Sequence, residues 1–421
     1  MKLFYVILSL SLIQFISGHV RAENFQQILS WKDCVREARK SNPDLLAAAE
    51  VVIQSESEKG QALAGLLPQI DASAGTSTSK SSGDERGESY SYGIEGRQLI
   101  FDGLKSWYEL DQSAQDLIAT RQEYKLASMS VRLDLRRAFI NLLKAQELVG
   151  LTEGIAGRRR QQAGLVNLRY QSGREHKGAL LTAQANLSEA EFDITKARRD
   201  IKVSRDQLHK ELGRDLFVPM RAEGVLRIEP IPAGQPDFGI LVDGHPATLE
   251  LAARTESKRL EHKTSYSDFS PAIYGSAGVR RSDSNWPPAD ENWSLSLSVS
   301  LPIFEGGSRI DELSRTRAAL AEAEEDERSG RNGVLLSLQE VWTDLRDADD
   351  NVGIQRQFLI AGEERSRIAN AQYSTGLISF DNWIIIEDDL VRYQKRYLEA
   401  RAAAMTAEAE WIYARGGTLT D

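Results

Sequence analysis

Cysteine, histidine and proline are scarce here: one, five and 11 residues respectively in a chain of 421. A lone thiol, Cys34, excludes any disulfide within the chain. Beyond the first 22 residues the histidines are His176, His209, His245 and His262, with no zinc-site spacing to cysteine and no His-Glu-x-x-His helix. No Gly-x-Ser-x-Gly elbow and no phosphate-binding glycine loop occurs either, so the chain reads as no enzyme, and no cofactor or metal is expected. Positive charge is not in excess. Lys and Arg number 52 against 62 Asp and Glu, a net charge of −10, which argues against a nucleic-acid partner. After residue 22 there is no long apolar run, and 27% of residues are charged, so no transmembrane helix is expected in the processed chain.

The one apolar run lies at the start. Met1–Ala22 carries an early Lys2, an apolar stretch from Leu3 to Ile16, and a small residue before Glu23, the pattern of a secretory signal peptide. No cysteine sits at the expected cleavage point, so a lipid-anchored start is not expected.

What is present is written twice. At a constant offset of 203, Pro43 falls on Pro246, Pro68 on Pro271, Gly75 on Gly278 and Phe101 on Phe304. The same offset places Leu142 on Leu345, Tyr170 on Tyr373, Gly173 on Gly376 and Gly213 on Gly416. The period is far beyond that of solenoid repeats. It divides the chain into a first structural repeat, 23–218, and a second, 219–421, each running helix, β-hairpin, long helix, turn, long helix.

The hairpins are expected at about 69–102 and 272–305, each with a polar tip. In the strand beginning at Trp293, the residues Trp293, Leu295, Leu297, Val299, Leu301 and Ile303 alternate with Ser294, Ser296, Ser298 and Ser300. Such alternation suits a membrane-spanning strand with lipid on one face and water on the other. The matching strand puts Tyr90, Tyr92 and Ile94 outward and Glu95 and Arg97 inward, with Tyr90 aligned to Trp293 where an aromatic belt would lie. A hairpin packed on a soluble core is the other reading of the same pattern. Four strands cannot close a barrel, and an open edge cannot persist in lipid. In a membrane the strands of several chains must therefore be shared.

The helix pairs are expected at about 104–213 and 308–415. No proline interrupts 104–168, and Leu, Phe and Ala recur at three- and four-residue spacing, as in Leu135, Phe139, Leu142 and Leu143. A helix of that length reaches roughly 100 Å, and its charge content keeps it in water. Gly150, Gly154 and Gly157 would mark a softer or closely packed end, and Arg158-Arg159-Arg160 reads as a solvated face.

These features together resemble the TolC family of outer membrane efflux proteins. The resemblance is carried by the signal peptide, the duplication, Leu67-Pro68-Gln69-Ile70 leading into a strand, Leu301-Pro302-Ile303-Phe304-Glu305-Gly306-Gly307, and the Tyr-x-x-Gly turns. Leu99-Ile100-Phe101-Asp102-Gly103 is a weaker copy of the second motif. It implies a mainly α protein with a membrane β-barrel. Three chains would build a twelve-stranded outer-membrane barrel, four strands each, continuous with a long α-helical periplasmic tunnel. The implied role is the outer membrane channel of a tripartite efflux pump or type I secretion system. The implied partners are two further copies, a periplasmic adaptor, an inner-membrane transporter of RND or ABC type, and outer membrane lipids.

The resemblance also implies the sites. The turns holding Tyr170, Gly173, Tyr373, Gly376 and Leu377 would dock the adaptor, although both glycines also read as plain left-handed helix caps. Tyr373, Asp381 and Asp388 are candidates for the gate, where threefold symmetry makes any inward acid a ring of three. Asp381 is equally at home at a helix start for the macrodipole alone. The first turn departs from the family's Gly-Leu form, since Arg174-Glu175-His176-Lys177 follows Gly173. A soluble periplasmic scaffold with β-hairpin insertions is the alternative to the channel.

Overall fold

The computed structural model describes residues 27–79, 87–215, 218–232 and 234–420. The expected signal peptide and most of the first hairpin's polar tip lie outside the described residues. The chain opens with a short strand β1 (Gln27–Leu29) and helices α1 (Trp31–Ser41) and α2 (Pro43–Gly65). The hairpin strands β2 (Gln69–Ser79) and β3 (Gly87–Phe101) follow, then the helix pair α3 (Lys105–Gln171) and α4 (Lys177–Leu212). A second passage comprises β4 (Met220–Ala222), α5 (Phe238–Gly244), α6 (Pro246–Ser267), β5 (Ala272–Asp283), β6 (Asp290–Ser300), α7 (Ser308–Thr375) and α8 (Phe380–Ala414). The protein is mostly helical with one substantial antiparallel sheet.

At 67 and 68 residues, α3 and α7 are each about twice as long as α4 and α8, with 36 and 35. The shorter helices do not leave half of each long one bare. α2 and α4 both pack on α3, and α6 and α8 both pack on α7. The end of α4 abuts the start of α2. Asn42 Nδ2 donates to the Glu211 carbonyl at 2.9 Å, while its Oδ1 accepts from the amides of Asp44 and Leu45, capping α2. Gly213 makes the junction possible. Its φ is +71°, and a Cβ there would lie 1.9 Å from the Ser41 carbonyl oxygen. In the second passage Gly416, φ +88°, sits against Pro246 in the same way.

Three clusters supply the main cores. The largest gathers Leu135, Phe139, Leu142, Leu208, Leu212, Met220 and Met405, at the middle of α3 and the ends of α4 and α8. β1 and β4 form a small parallel pair beside it, so the segment after the first helix pair returns to the start of the described chain. A second cluster packs Phe238, Leu338, Leu345 and Trp411. A third lies at the far end, around Tyr373 and Trp383.

Two expectations need correction. Gly150, Gly154 and Gly157 neither break α3 nor mark close packing within the chain, since a Cβ at any of them would meet nothing within 4 Å. The strand expected to include Leu301 and Ile303 ends at Ser300, so both residues follow β6 instead of belonging to it. Pro302, which has no amide hydrogen to pair, accounts for that ending.

Candidate functional site at the sheet and the helix tips

The sheet has strand order β2-β3-β5-β6, all antiparallel, with β2 and β6 at its edges. Directly paired residues share a face. The register therefore aligns Ala72, Ile94, Val279 and Trp293 in one row, and Ala277 with Leu295 in the next. Ile273 and Val299 continue the same face, as do Tyr92 and Leu297 by alternation. Trp293, Leu295, Leu297 and Val299 are between 62% and 79% exposed, and Leu301 is 52% exposed beyond the strand end. At the tip, Trp286 packs edge-on against Tyr90 and Tyr92. The opposite face is polar. Ser276 and Ser296 hydroxyls are 2.7 Å apart, Arg280 donates to Ser91, and the Arg97 guanidinium lies 4.1 Å over the Tyr274 ring.

At the other end the two turns share one backbone design. The amide of Arg174 donates to the Arg169 carbonyl at 2.8 Å, and that of Leu377 to the Gln372 carbonyl at 2.8 Å. Gly173 and Gly376 occupy the left-handed position between, at φ +72° and +82°. Each is a Schellman cap, which satisfies carbonyls that the helix end would leave unpaired. Tyr170 is 39% exposed. Leu377 is 76% exposed.

Tyr373 is fully buried. It stacks on Trp383 at 4.1 Å, lies under the Arg169 guanidinium at 4.6 Å, and donates its hydroxyl to Glu175 Oε2 at 2.8 Å. Arg169 also donates to the Tyr373 carbonyl at 2.8 Å. The hydroxyl's partner is thus in the first turn of the same chain. Burial first, and the Glu175 hydrogen bond second, push the phenol above its ordinary range.

Asp381 is exposed in the first turn of α8, where Ser379 supplies the cap. Asp388, two turns further on, lies on the same side of α8 and pairs with Arg159, whose side chain is only 9% exposed. The expectation of a solvated Arg158-Arg159-Arg160 face is therefore overturned for its middle member. Arg160 does face water, paired with Glu191, and Arg158 donates to Gln394.

Beside Arg159 lies a polar network that sequence reasoning missed. Glu387 is 2% exposed and accepts from Gln162 Nε2 at 2.6 Å, from Asn370 Nδ2 at 2.9 Å, and from the Ser366 hydroxyl. Asn370 Oδ1 accepts from the Trp383 indole at 3.0 Å, and Gln162 Oε1 accepts from Arg159 at 3.1 Å. Three helices, α3, α7 and α8, meet in this one satisfied network.

Comparison with known proteins agrees with this architecture. The chain is 24% identical over 410 residues to the outer membrane protein TolC of Escherichia coli (strain K12), covering 89% of this chain and 78% of TolC. It is 20% identical over 390 residues to the outer membrane efflux protein BepC of Brucella suis biovar 1 (strain 1330), covering 91% and 85%. Among solved structures, the open-state MtrE outer membrane channel of Neisseria gonorrhoeae superposes with a TM-score of 0.82 at 18% identity, over 92% of this chain and 89% of MtrE. With residues 34–214 and 242–417 both matching the family described as outer membrane efflux protein, the chain belongs to that family, and its place is the Gram-negative outer membrane.

Proposed function

We propose that three copies of this chain assemble into an export duct through the outer membrane and the periplasm. The observation that carries this reading is the sheet. It has one apolar face, one polar face, and two edges, β2 and β6, that no other strand of the chain pairs among the described residues. Sheet edges in lipid leave several kcal/mol of unsatisfied backbone per group, so closure is required. Joining β6 of one copy to β2 of the next closes twelve strands in three copies, with Trp293, Leu295, Leu297 and Val299 on lipid and the serines on water. Leu301 continues that surface below the strand.

The helices extend away from the sheet by roughly 100 Å and would form the periplasmic part of the duct. Its far end carries the two Schellman turns, which we assign to docking a periplasmic adaptor of an RND- or ABC-type transporter. The duplication at offset 203 gives three chains a nearly sixfold rim. Asp381 and Asp388, on one side of α8, would line the constriction as rings of three, and Tyr373 would hold that constriction closed through Glu175. The duct has no chemistry of its own in this reading. A soluble periplasmic scaffold is disfavoured, because it would leave four large apolar side chains of β6 in water.

The deciding experiment is membrane fractionation followed by detergent extraction and light scattering. A trimer in the outer membrane is expected. A soluble monomer or dimer in the periplasm overturns the barrel and the duct with it.

A further inference from the structure

Arg174 and Leu377 occupy the same position in two turns of the same geometry, immediately after the left-handed glycine, and each spends its amide on the same helical carbonyl. Their side chains differ completely. Leu377 is an apolar group projecting into water, preceded by the neutral Ser374, Thr375 and Gly376. Arg174 is an exposed cation, and Lys177, in the first turn of α4, is exposed beside it.

The acid between these cations does not neutralise them. Glu175 turns inward, with its side chain only 10% exposed, and is occupied by the Tyr373 hydroxyl and by Arg169 at 3.9 Å. His176 spends Nδ1 as acceptor for the Ala179 amide, capping α4. Among the described residues neither Arg174 nor Lys177 has a salt-bridge partner. The first turn of α4 holds no acid, whereas that of α8 holds Asp381. The first turn is therefore a small, outward, uncompensated cationic surface in a chain whose net charge is −10.

We infer that the two turns dock chemically different surfaces, and that the first binds a carboxylate-bearing tip of the periplasmic partner. This rests on the reading of the turns as the adaptor dock. An arginine presents a planar fork that a carboxylate meets with two hydrogen bonds, and opposite charge sets register and partner choice across a rim. A like-charged partner tip is rejected at the same place. The second turn, with Leu377 exposed, takes an apolar contact. An anionic lipid is the other possible source of such a group. The turn lies one full long helix from the sheet, roughly 100 Å, so a protein partner within the periplasm is the occupant.

The test places a photo-cross-linking phenylalanine analogue at Gln171 or Ser374, equivalent exposed positions beside the two turns, in the full chain expressed in its own cells. Cross-linked peptides are identified by mass spectrometry. From Gln171 the expected product is a partner peptide containing Asp or Glu. Its yield should fall about tenfold in Arg174→Glu/Lys177→Glu and be kept in Arg174→Lys/Lys177→Arg. The product from Ser374 should be a different peptide and fall with Leu377→Glu. Trimer mass by light scattering controls for folding in every variant. Identical peptides from both positions, an unchanged Gln171 yield after charge reversal, or a lipid adduct overturns the inference while leaving the turns as a docking rim. No product from either position in an intact trimer removes the docking reading itself, and the inference with it.

Discussion

Tyr373 lies flat on Trp383, with ring centroids 4.1 Å apart and planes within 10°, while its hydroxyl leaves the α7/α8 pair to meet Glu175 in the first turn. One side chain thus serves two purposes, packing within one helix pair and tethering it to the other. Tyr373→Phe separates them. The stack is kept, and a hydrogen bond to a charged group, about 1.5–3 kcal/mol, is lost. The expected outcome is a normally assembled trimer with higher single-channel conductance in a planar bilayer. Unchanged conductance would show that the tether does not limit the opening. Trp383→Ala removes the stack instead and should cost about 3–5 kcal/mol of stability.

Glu387 gives a sharper stability prediction. Its carboxylate is buried among Gln162, Ser366 and Asn370, with Arg159 beside Gln162. Removing one member of a buried charged network strands the others, at roughly 3–5 kcal/mol. Glu387→Ala should lower the thermal midpoint of the solubilised protein far more than Asp388→Asn, since the Asp388 side chain is 55% exposed. Equal shifts would show that the network contributes no more than the Arg159–Asp388 pair, which is buried on one side only.

Much of this fold was legible in the sequence because its signals are local. The alternation from Trp293 to Ser300 records which face each side chain meets, and the proline-free stretch of α3 records a single uninterrupted rod. Glu387 was not legible, because its partners lie on two other helices and no spacing along α8 announces them. In Arg158-Arg159-Arg160 three adjacent residues point about 100° apart around α3, so one of them must face differently from its neighbours. Only the position of α8 decides that it is Arg159. β1 and β4, three residues each, carry no period at all, and α1 shows only its Ser30–Asp33 capping box.

The sheet's two faces predict opposite tolerance at neighbouring residues. Leu297→Lys puts a charge on the face assigned to lipid, costing about 2–4 kcal/mol near the bilayer midplane, and the proposed threefold assembly would multiply it. Ser296→Lys, one residue away, points to the polar face. Outer-membrane trimer yield should collapse for the first and persist for the second. Equal yields would sink the lipid-face assignment.

Asp381 has no hydrogen-bonded partner for its carboxylate among the described residues, unlike Asp388, which Arg159 holds. Asp381→Asn should therefore lower the cation-to-anion permeability ratio of the trimer in a bilayer, while Asp388→Asn should shift it less. A ratio unmoved by the Asp381 change would return that residue to its helix-start role.

The two passages solve one capping problem differently, and the difference is titratable. Asn42 caps α2 ahead of Pro43, and at the equivalent place His245 caps α6 ahead of Pro246, its Nδ1 accepting from the Ala247 amide at 3.2 Å. That acceptor exists only in the neutral ring. Burial lowers the His245 pKa from its ordinary 6.5, because the charged form is disfavoured at a site only 7% exposed. Above pH 6.5 the ring is neutral folded or unfolded, and the full stability is present. As the pH falls below that value the unfolded chain takes up the proton first, and stability drains away until the folded-state pKa is passed. His245→Asn installs the Asn42 solution, a cap that never titrates. The variant should match the wild type at pH 8 and lose less of its thermal midpoint between pH 7 and pH 5, since all other titrating groups are common to both. Parallel losses in the two proteins would show that folding leaves the His245 pKa where it is in the unfolded chain, and that the cap is not titratable.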